Sequence, residues 1–496
     1  MEVVSRGFFK KLKKFLDAQK GFASGLAMFG DLCFNKCGGV LMKKGDILEL
    51  QISYIKFPNI GIGEIGGKVM RVKGALPGQC VKIRVLKTGR NPKVSIVEVT
   101  QPALQEIPSP CAVFGLCGGC SFQNIPYKYE IDLKTAMVRR LLAPLNLDAE
   151  FLPTIAAATT DAYRNKMEFG FGDDGNAENP ALTLGMRKKG SYYEAVDARG
   201  CLIAHPDFGK ILTFTRDYFA VRGVDFFHRR KLTGALRHLL IRRGDATGEI
   251  LVNLVTAGDG DYSDYAAALT KIPLDGRIVG VLNTVNNSLA DAVTAEEVKV
   301  LSGVDFYHEE FSKAAGGQRF KVSAFSFFQT NSAMAGDALY ATVAEFAGDL
   351  RGKTVFDLYC GTGTIGIYLA PHTERVIGIE LVDAAVEAAR ENAALNSITN
   401  CQFIAGDVAK MVKILEIRPD VIVLDPPREG ISPKAMPDII AFDAPKIVYV
   451  SCKPSSLLND LPALMAAGYC VKKIQCVDMF PRTANIEVVV ELSKEG

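Results

Sequence analysis

The sequence has almost no excess of either charge. Its 496 residues carry 58 Lys and Arg against 55 Asp and Glu, a net charge of +3. Whole-chain electrostatics therefore does not announce a polyanionic partner, and any nucleic-acid footprint must be a local patch. No apolar run reaches the length of a membrane span, which excludes a helical membrane protein. The twelve cysteines are scattered through the chain rather than set out as a dense disulfide framework. They imply a reducing cytoplasm, with thiols serving a metal or catalysis. What the chain does have is apolar content: 48% of its residues are hydrophobic, ample for two or three cored domains.

One stretch says more than the composition. The stretch TVFDLYCGTGTIG, residues 354–366, is a β-prone run ending in a Gly-x-Gly turn (Gly361, Gly363) and a helix start. That is how a doubly wound α/β sheet presents a ligand site. Glycines there let the backbone approach a nucleotide-like group, and Gly366 follows Gly363 at the spacing of G-x-G-x-x-G. A second strand, RVIGIE, ends in Glu380 about twenty residues beyond the turn, where a carboxylate suits the two hydroxyls of a ribose. CQFIAGD follows, ending in Asp407, then DVIVLDPPREG with Asp425 and KIVYVSCKPSSL with Cys452. Two late β-rich stretches, YCVKKIQCVDMF and IEVVVEL, close the chain. The alternation predicts a parallel sheet with helices on both faces and an antiparallel hairpin at one end. The expected cofactor is S-adenosylmethionine.

In this order and spacing, FDLYCGTGTIGIYLA, VIGIE, LDPPREG, YVSCKPSSL and FPRTANIE resemble the bacterial RNA uracil-5-methyltransferases, from about Gly45 onward. The chemistry can be argued from the uracil ring. C5 is a poor nucleophile, so methylation benefits from adding a thiolate at C6, which makes an enolate. The enolate carbon takes the methyl group, a base removes the C5 proton, and the thiolate leaves. Cys452, at the end of an apolar strand on the ligand edge, is placed for the thiolate; Lys453 beside it could help hold the charge. The resemblance assigns the base to Glu487, the acid of the late PxTxxxE motif. It also implies that Asp425 touches the cofactor and borders the uracil pocket, and that Gln329, in FFQTN, belongs to the cofactor site. The expected cofactor-binding set is Gln329, Tyr359, Thr364, Glu380, Asp407 and Asp425. The chain departs from the family at Arg482 and Asn485, where histidines are usual; that bears on the proton step or on substrate choice.

Residues 1–41 lie outside this pattern. RGFFKKLKKFL places Phe8, Leu12, Phe15 and Leu16 on one helical face with lysines opposite. The segment reads as a flexible or non-native extension, Met42 is an equally plausible start, and Cys33 and Cys37 have no partner motif. Residues 42–101 are short alternating β runs, expected to form a small barrel of the oligonucleotide-binding type. They resemble the TRAM module, and Lys56, Lys68, Arg71, Lys73, Lys82, Arg84, Lys87, Arg90 and Lys93 make them basic.

The next part, 102–320, is read as a mixed α+β domain. Its loop CAVFGLCGGC spaces Cys111, Cys117 and Cys120 as C-x(5)-C-x(2)-C, which matches an iron–sulfur cluster or zinc. The resemblance supplies Cys201 as a fourth ligand and a [4Fe–4S] cluster as the group held. The spacing is not the C-x3-C-x2-C of radical enzymes, so the cluster is expected to be structural or RNA-positioning. Arg164, Lys166, Arg187, Lys188 and Lys189 are candidate RNA contacts. Residues 321–496 are the expected Rossmann-like class I methyltransferase domain.

Barrel and cysteine set together resemble the ribosomal branch of the family more than the tRNA branch. The expected activity is therefore C5 methylation of a uridine in 23S ribosomal RNA, with tRNA as the alternative. The enzyme is expected to be cytoplasmic and monomeric, with RNA as its partner and neither DNA nor membrane. Two rivals come from other classes. An amino-group methyltransferase would use D/N-P-P-Y/F and no thiol, against Arg428 and Cys452 here. A catalytically decayed RNA-binding or assembly factor would account for Arg482 and Asn485.

Overall fold

The run from Thr354 to Lys494 builds most of an eight-stranded sheet. The computed structural model describes residues 42–494 apart from 177, 179, 180, 192, 193, 229, 230, 290–295, 412–414 and 416. The Phe8–Leu16 helix, Cys33 and Cys37 lie outside the described residues.

The strands of the large sheet are β1 (Glu150–Phe151), β2 (Thr354–Leu358), β3 (Arg375–Glu380), β4 (Cys401–Ala405), β5 (Val421–Leu424), β6 (Lys446–Ser451), β7 (Tyr469–Val477) and β8 (Glu487–Lys494). Their order across the sheet is β4-β3-β2-β5-β6-β8-β7-β1. β2 to β6 run parallel, and β8 returns antiparallel between β6 and β7. Alternate residues along these strands feed two apolar layers. Val355, Val423, Val448 and Val489 enter one core; Phe356, Leu424, Tyr449 and Val488 enter the other. Both faces are covered, as a parallel sheet requires. The predicted sheet with a terminal hairpin is what forms. The edge strand β1 was not foreseen: it comes from a distant part of the chain and pairs with β7 through Lys473 and Ile474.

The helix Tyr127–Leu142 begins after Pro126, whose missing N–H costs nothing at a helix start. It packs Val138 and Leu142 into the core under the large sheet, and Leu133 and Met137 against Ile55, Leu76 and Phe122. It thus joins the sheet to the N-terminal strands.

Those N-terminal strands number six within residues 47–101 and form two three-stranded sheets, around a core of Met42, Leu50, Met70, Val72, Val81 and Ile83. The run IGIGEI reads in sequence as glycine punctuation but is a strand. At Gly63 a Cβ would stand 2.3 Å from the carbonyl oxygen of Gln51, so only glycine lets the two sheets approach this closely.

A seven-stranded sheet fills the middle of the chain, with the helix Pro206–Val221 against it. Its strand Leu236–Arg243, LRHLLIRR, reads as a source of surface charge. It is buried at every residue but the last. Arg242 is 1% exposed and donates from Nε to the carbonyl of Ala324 at 2.9 Å. Among the described residues no helix is long and apolar enough to cross a membrane.

Candidate active site

The carboxyl ends of β2 to β6 lie on one edge of the sheet, and because β8 is antiparallel its first residue lies there too. Taken across the sheet, this edge carries Asp407 just past β4, Glu380 on β3, Tyr359 after β2, Asp425 after β5, Cys452 after β6 and Glu487 opening β8. Neighbouring strands are about 4.8 Å apart. Asp425, Cys452 and Glu487 therefore stand on three adjacent strands. Register sharpens this: Ser451 pairs with Val488, so the following residue, Cys452, meets Glu487 across the antiparallel pair.

The three groups act on one another. Burial first, then Glu487 and Asp425, push the Cys452 thiol up to about 12, and the Arg428 guanidinium opposes them. Arg428, rather than the adjacent Lys453, is the cation that holds the thiol down. Glu487 is 2% exposed, and its Oε2 has no hydrogen-bond partner among the described residues. Burial first and Asp425 second push it well above the usual carboxylate range, again opposed by Arg428. Burial raises Asp425 to about 7. The edge is thus short of positive charge, and its acids hold their protons more tightly than they would in water.

The glycine turn lies two strands away. Gly363 has φ +77°, and a Cβ there would stand 2.8 Å from the Phe403 ring, so glycine is required twice over. Glu380 ties this turn to its own strand tip. Its Oε2 accepts from Gly361 N–H at 3.1 Å and its Oε1 from Val382 N–H at 3.0 Å. Each oxygen keeps a second lone pair for a ligand. Tyr359 is a non-glycine residue at φ +65°, a strained backbone of the kind found at functional turns; burial, with Asp407 and Asp460 behind it, raises its hydroxyl to about 12. Thr364 is buried, 3.0 Å from the Tyr340 hydroxyl. Gln329 is buried and its carbonyl accepts from Asn165 Nδ2 at 3.1 Å. Asp407 is exposed and opens the short helix Val408–Met411.

Several residues shape this edge without a motif to announce them. Asp357 accepts from Gly366 N–H at 2.9 Å and anchors the helix that follows the glycine turn. Asp460 is buried; its Oδ2 accepts from Tyr449 Oη at 2.6 Å and from Ile431 N–H at 3.0 Å, fixing the far end of the DPPREG loop. A buried acid inside a helix, as Asp460 is, was the one available signal.

The four cysteines form a second site. Cys111, Cys117, Cys120 and Cys201 line one small, largely enclosed cavity together with Met167 and Met186. Cys117 Sγ accepts from Gly119 N–H at 3.3 Å, and Cys120 Sγ from Gln123 Nε2 at 3.7 Å. Burial and the other sulfurs raise Cys120 to about 12, and burial raises Cys117 and Cys201. Such a set becomes four thiolates only around a cationic group, so the donors suit a soft metal centre. Among the described residues only His205, Asp207 and Asp275 bring three donor atoms within 4.8 Å of one another; no three cysteine sulfurs do. Of the expected RNA contacts, Arg187 donates to the Phe171 carbonyl at 2.9 Å and Lys188 pairs with Glu194. Burial lowers Lys166 to about 8, and Arg242 adds to this.

The comparisons with known proteins bear on the family. The family model described as tRNA (Uracil-5-)-methyltransferase matches residues 289–495. An uncharacterized RNA methyltransferase of Clostridium tetani is 43% identical over 92% of this chain and 99% of its own length. Another from Caldanaerobacter subterraneus subsp. tengcongensis is 43% identical over 91% of this chain and 100% of its own. The structure of a Pyrococcus abyssi tRNA (uracil-54, C5)-methyltransferase in complex with S-adenosyl-L-homocysteine has the same fold, with a TM-score of 0.69 at 24% identity over 89% of this chain and 100% of that one. Sequence relatives along nearly the whole chain and the matching family model lead to one conclusion: the protein belongs to the RNA (uracil-5-)-methyltransferase family of enzymes.

Proposed function

We propose that the protein methylates C5 of a uridine in structured RNA, with S-adenosylmethionine as donor and a covalent bond from Cys452 to C6 of the base. The observation that carries this is the placement of Cys452 between Asp425 and Glu487 on one sheet edge, two strands from the glycine turn. The donor supplies an electrophilic methyl group. Glu380 and the backbone of the glycine turn would hold its ribose, with Gln329, Tyr359, Thr364, Asp407 and Asp425 completing the cleft.

Cys452 Sγ loses its proton and bonds to C6, and the ring's electrons move toward C5 and the O4 carbonyl. Arg428 opposes the negative charge that gathers on this edge. Once C5 carries the methyl group, Glu487 takes the remaining C5 proton, the C5–C6 double bond re-forms and the Cys452–C6 bond breaks. A carboxylate whose proton is held well above the usual range is a strong base once ionised, and its burial keeps water from competing for the proton. Arg482 and Asn485 leave the Cys452–Glu487 pair intact, which favours an active enzyme over a decayed binding factor.

For the RNA, the reading is 23S ribosomal RNA. It is supported by the strand-rich unit 42–101, read as an OB or TRAM-like barrel whose nine named lysines and arginines are all exposed, and by the cysteine set, which we assign to a [4Fe–4S] cluster. Residues 102–320 would be the cluster-bearing RNA domain and 321–496 the methyltransferase domain of a cytoplasmic monomer. Transfer RNA is the competing substrate.

The test removes the two catalytic groups separately. Cys452→Ala should be inactive and form no covalent adduct. Glu487→Gln should trap methylated uridine bonded to Cys452, seen as a protein–RNA band that survives denaturation. An adduct in Cys452→Ala would overturn the mechanism; full turnover by Glu487→Gln would overturn the base. Mapping 5-methyluridine in ribosomal and transfer RNA from cells with and without the protein decides the substrate.

A further inference from the structure

The loop 478–486 connects β7 to β8 and delivers Glu487, and Arg482 is where three parts of the chain meet on it. Its backbone is left-handed, at φ +67°. Its N–H donates to Glu130 Oε1 at 2.7 Å. Its carbonyl accepts the N–H groups of Ser121 and Phe122 at 2.8 and 3.1 Å. Its guanidinium Nη1 donates to the Ile125 carbonyl at 3.0 Å and stands 3.5 Å from Glu130 Oε2. Ser121 directly follows Cys120, so the cysteine loop and the loop of the proposed base share this one residue.

The surroundings are charged and dry. Lys134 Nζ lies 2.7 Å from Asp478 Oδ1, 2.8 Å from Glu130 Oε1 and 3.1 Å from the Phe480 carbonyl. Tyr127 Oη donates to Asp478 Oδ2 at 2.9 Å, and Tyr163 Oη donates to the Pro481 carbonyl at 2.9 Å. The side chains of Glu130, Lys134 and Asp478 are fully buried, and that of Arg482 is 15% exposed. Two carboxylates meet two cations, so the cluster is neutral as a whole and loses that balance when one member goes.

We propose that Arg482 is a positioning residue for the proton-removing step: it fastens the loop of Glu487 to the helix Tyr127–Leu142 and to the cysteine loop. Where the usual family residue is a histidine, this chain uses a fork of donors that reaches the Ile125 carbonyl and the Glu130 carboxylate together. Glu487 is held on one side by its register in β8 and on the other by this loop. Loosening the second hold displaces the carboxylate without touching Cys452, Glu380 or the glycine turn. The proposal rests on the reading of Glu487 as the base.

The test is Arg482→Gly in the full-length protein. Glycine accepts the left-handed backbone at no cost, so only the side chain is lost. Arg482→Gly should form the Cys452–RNA adduct at the wild-type rate but resolve it about tenfold more slowly, less than the roughly 10²-fold that a 1 Å misplacement costs. KM for RNA and affinity for the donor should stay within about twofold, since the donor cleft is untouched. Arg482→Lys keeps the charge opposite Glu130 without the fork, and should resolve the adduct at an intermediate rate. If Arg482→Gly does not fold, Arg482→Lys decides the matter, and a wild-type resolution rate in it overturns the proposal. Equal loss of adduct formation and resolution in Arg482→Gly also overturns it, because that is the mark of a general structural role. Glu487→Gln is run alongside. If it traps adduct while Arg482→Gly resolves normally, the proposal alone fails; if it traps none, the base assignment fails and takes the proposal with it.

Discussion

The thiol of Cys452 should be slow to alkylate, and the rate should keep climbing with pH well past the range of an ordinary cysteine. Burial, Glu487 and Asp425 push it up to about 12, against about 8.5 for an unperturbed thiol. At pH 8 the thiolate is then about one part in 10⁴, where an ordinary cysteine is about one quarter ionised. A thiolate of higher pKa is intrinsically more nucleophilic; with a Brønsted slope of about 0.4–0.5, some 3.5 units recover roughly 25- to 55-fold. The net expectation is alkylation by iodoacetamide about 10²-fold slower than for a free cysteine at pH 8. The assay is peptide mapping by mass spectrometry, which separates Cys452 from the other cysteines. Steric shielding slows the rate equally at every pH, so the slope carries the test: tenfold per pH unit, without a plateau up to pH 10. Arg428→Ala should slow it further, because Arg428 is the cation that opposes the rise. A plateau between pH 7 and 9 would refute the electrostatic account of this edge.

Three further outcomes follow from other parts of the molecule. Lys134→Met should destabilise the protein by about 3–5 kcal/mol, as breaking a buried ion pair does, and hydrogen exchange should locate the loosening in residues 127–142 and 478–486; the exposed Arg351→Met control should leave exchange there unchanged. Asp357 is held at about 7 by burial, above its unfolded value of about 3.9. Its contribution to stability is complete below that unfolded value and is lost as pH rises through 7. Asp357→Asn keeps an acceptor for Gly366 N–H, so its melting temperature should exceed the wild type's at pH 8 and match or fall below it at pH 4; the reverse order would refute the assignment. Protein purified without oxygen should be brown and contain iron and sulfide, both lost in Cys111→Ser or Cys201→Ser with donor binding retained; stoichiometric zinc without iron would overturn the cluster.

Much of the catalytic edge was legible because a parallel sheet writes its ligand site as a repeated phrase: an apolar strand, then a polar residue at its tip. Glu380, Asp407, Asp425 and Cys452 all occupy that place. The hairpin brings Glu487 to the same edge, and this too follows from the order of the last two β-rich stretches. What sequence could not supply is which distant surfaces would cover the apparent surface charges. Glu130 and Lys134 are spaced i, i+4 on a helix and read as an ordinary solvated pair. They are buried because the loop from Asp478 to Arg482, 344 residues further on for the Lys134–Asp478 contact, closes over them. LRHLLIRR misleads for a related reason. A central strand buried on both faces loses its period-two alternation, and Arg237 and Arg242 donate to backbone carbonyls that no local pattern reveals.

The raised thiol also bears on why the edge is built with two acids beside its nucleophile. On the proposed chemistry, a thiolate standing ready next to a methyl donor would attack the donor itself, and the enzyme would methylate its own Cys452. Keeping the thiol protonated at rest suppresses that reaction, because the neutral sulfur is a far weaker nucleophile. The cost is a barrier to ionisation, which must be met when RNA arrives. The entering uracil offers an acceptor for the electron pair, so negative charge leaves the sulfur and spreads over the ring as the C6 bond forms. The same repulsion that raises the free thiol therefore favours the addition once a base is in place. Arg428, exposed on the DPPREG loop, opposes the charge at both stages. On that proposal, acids that would be a defect around an always-active cysteine become the means by which this one would act on RNA and not on its own donor.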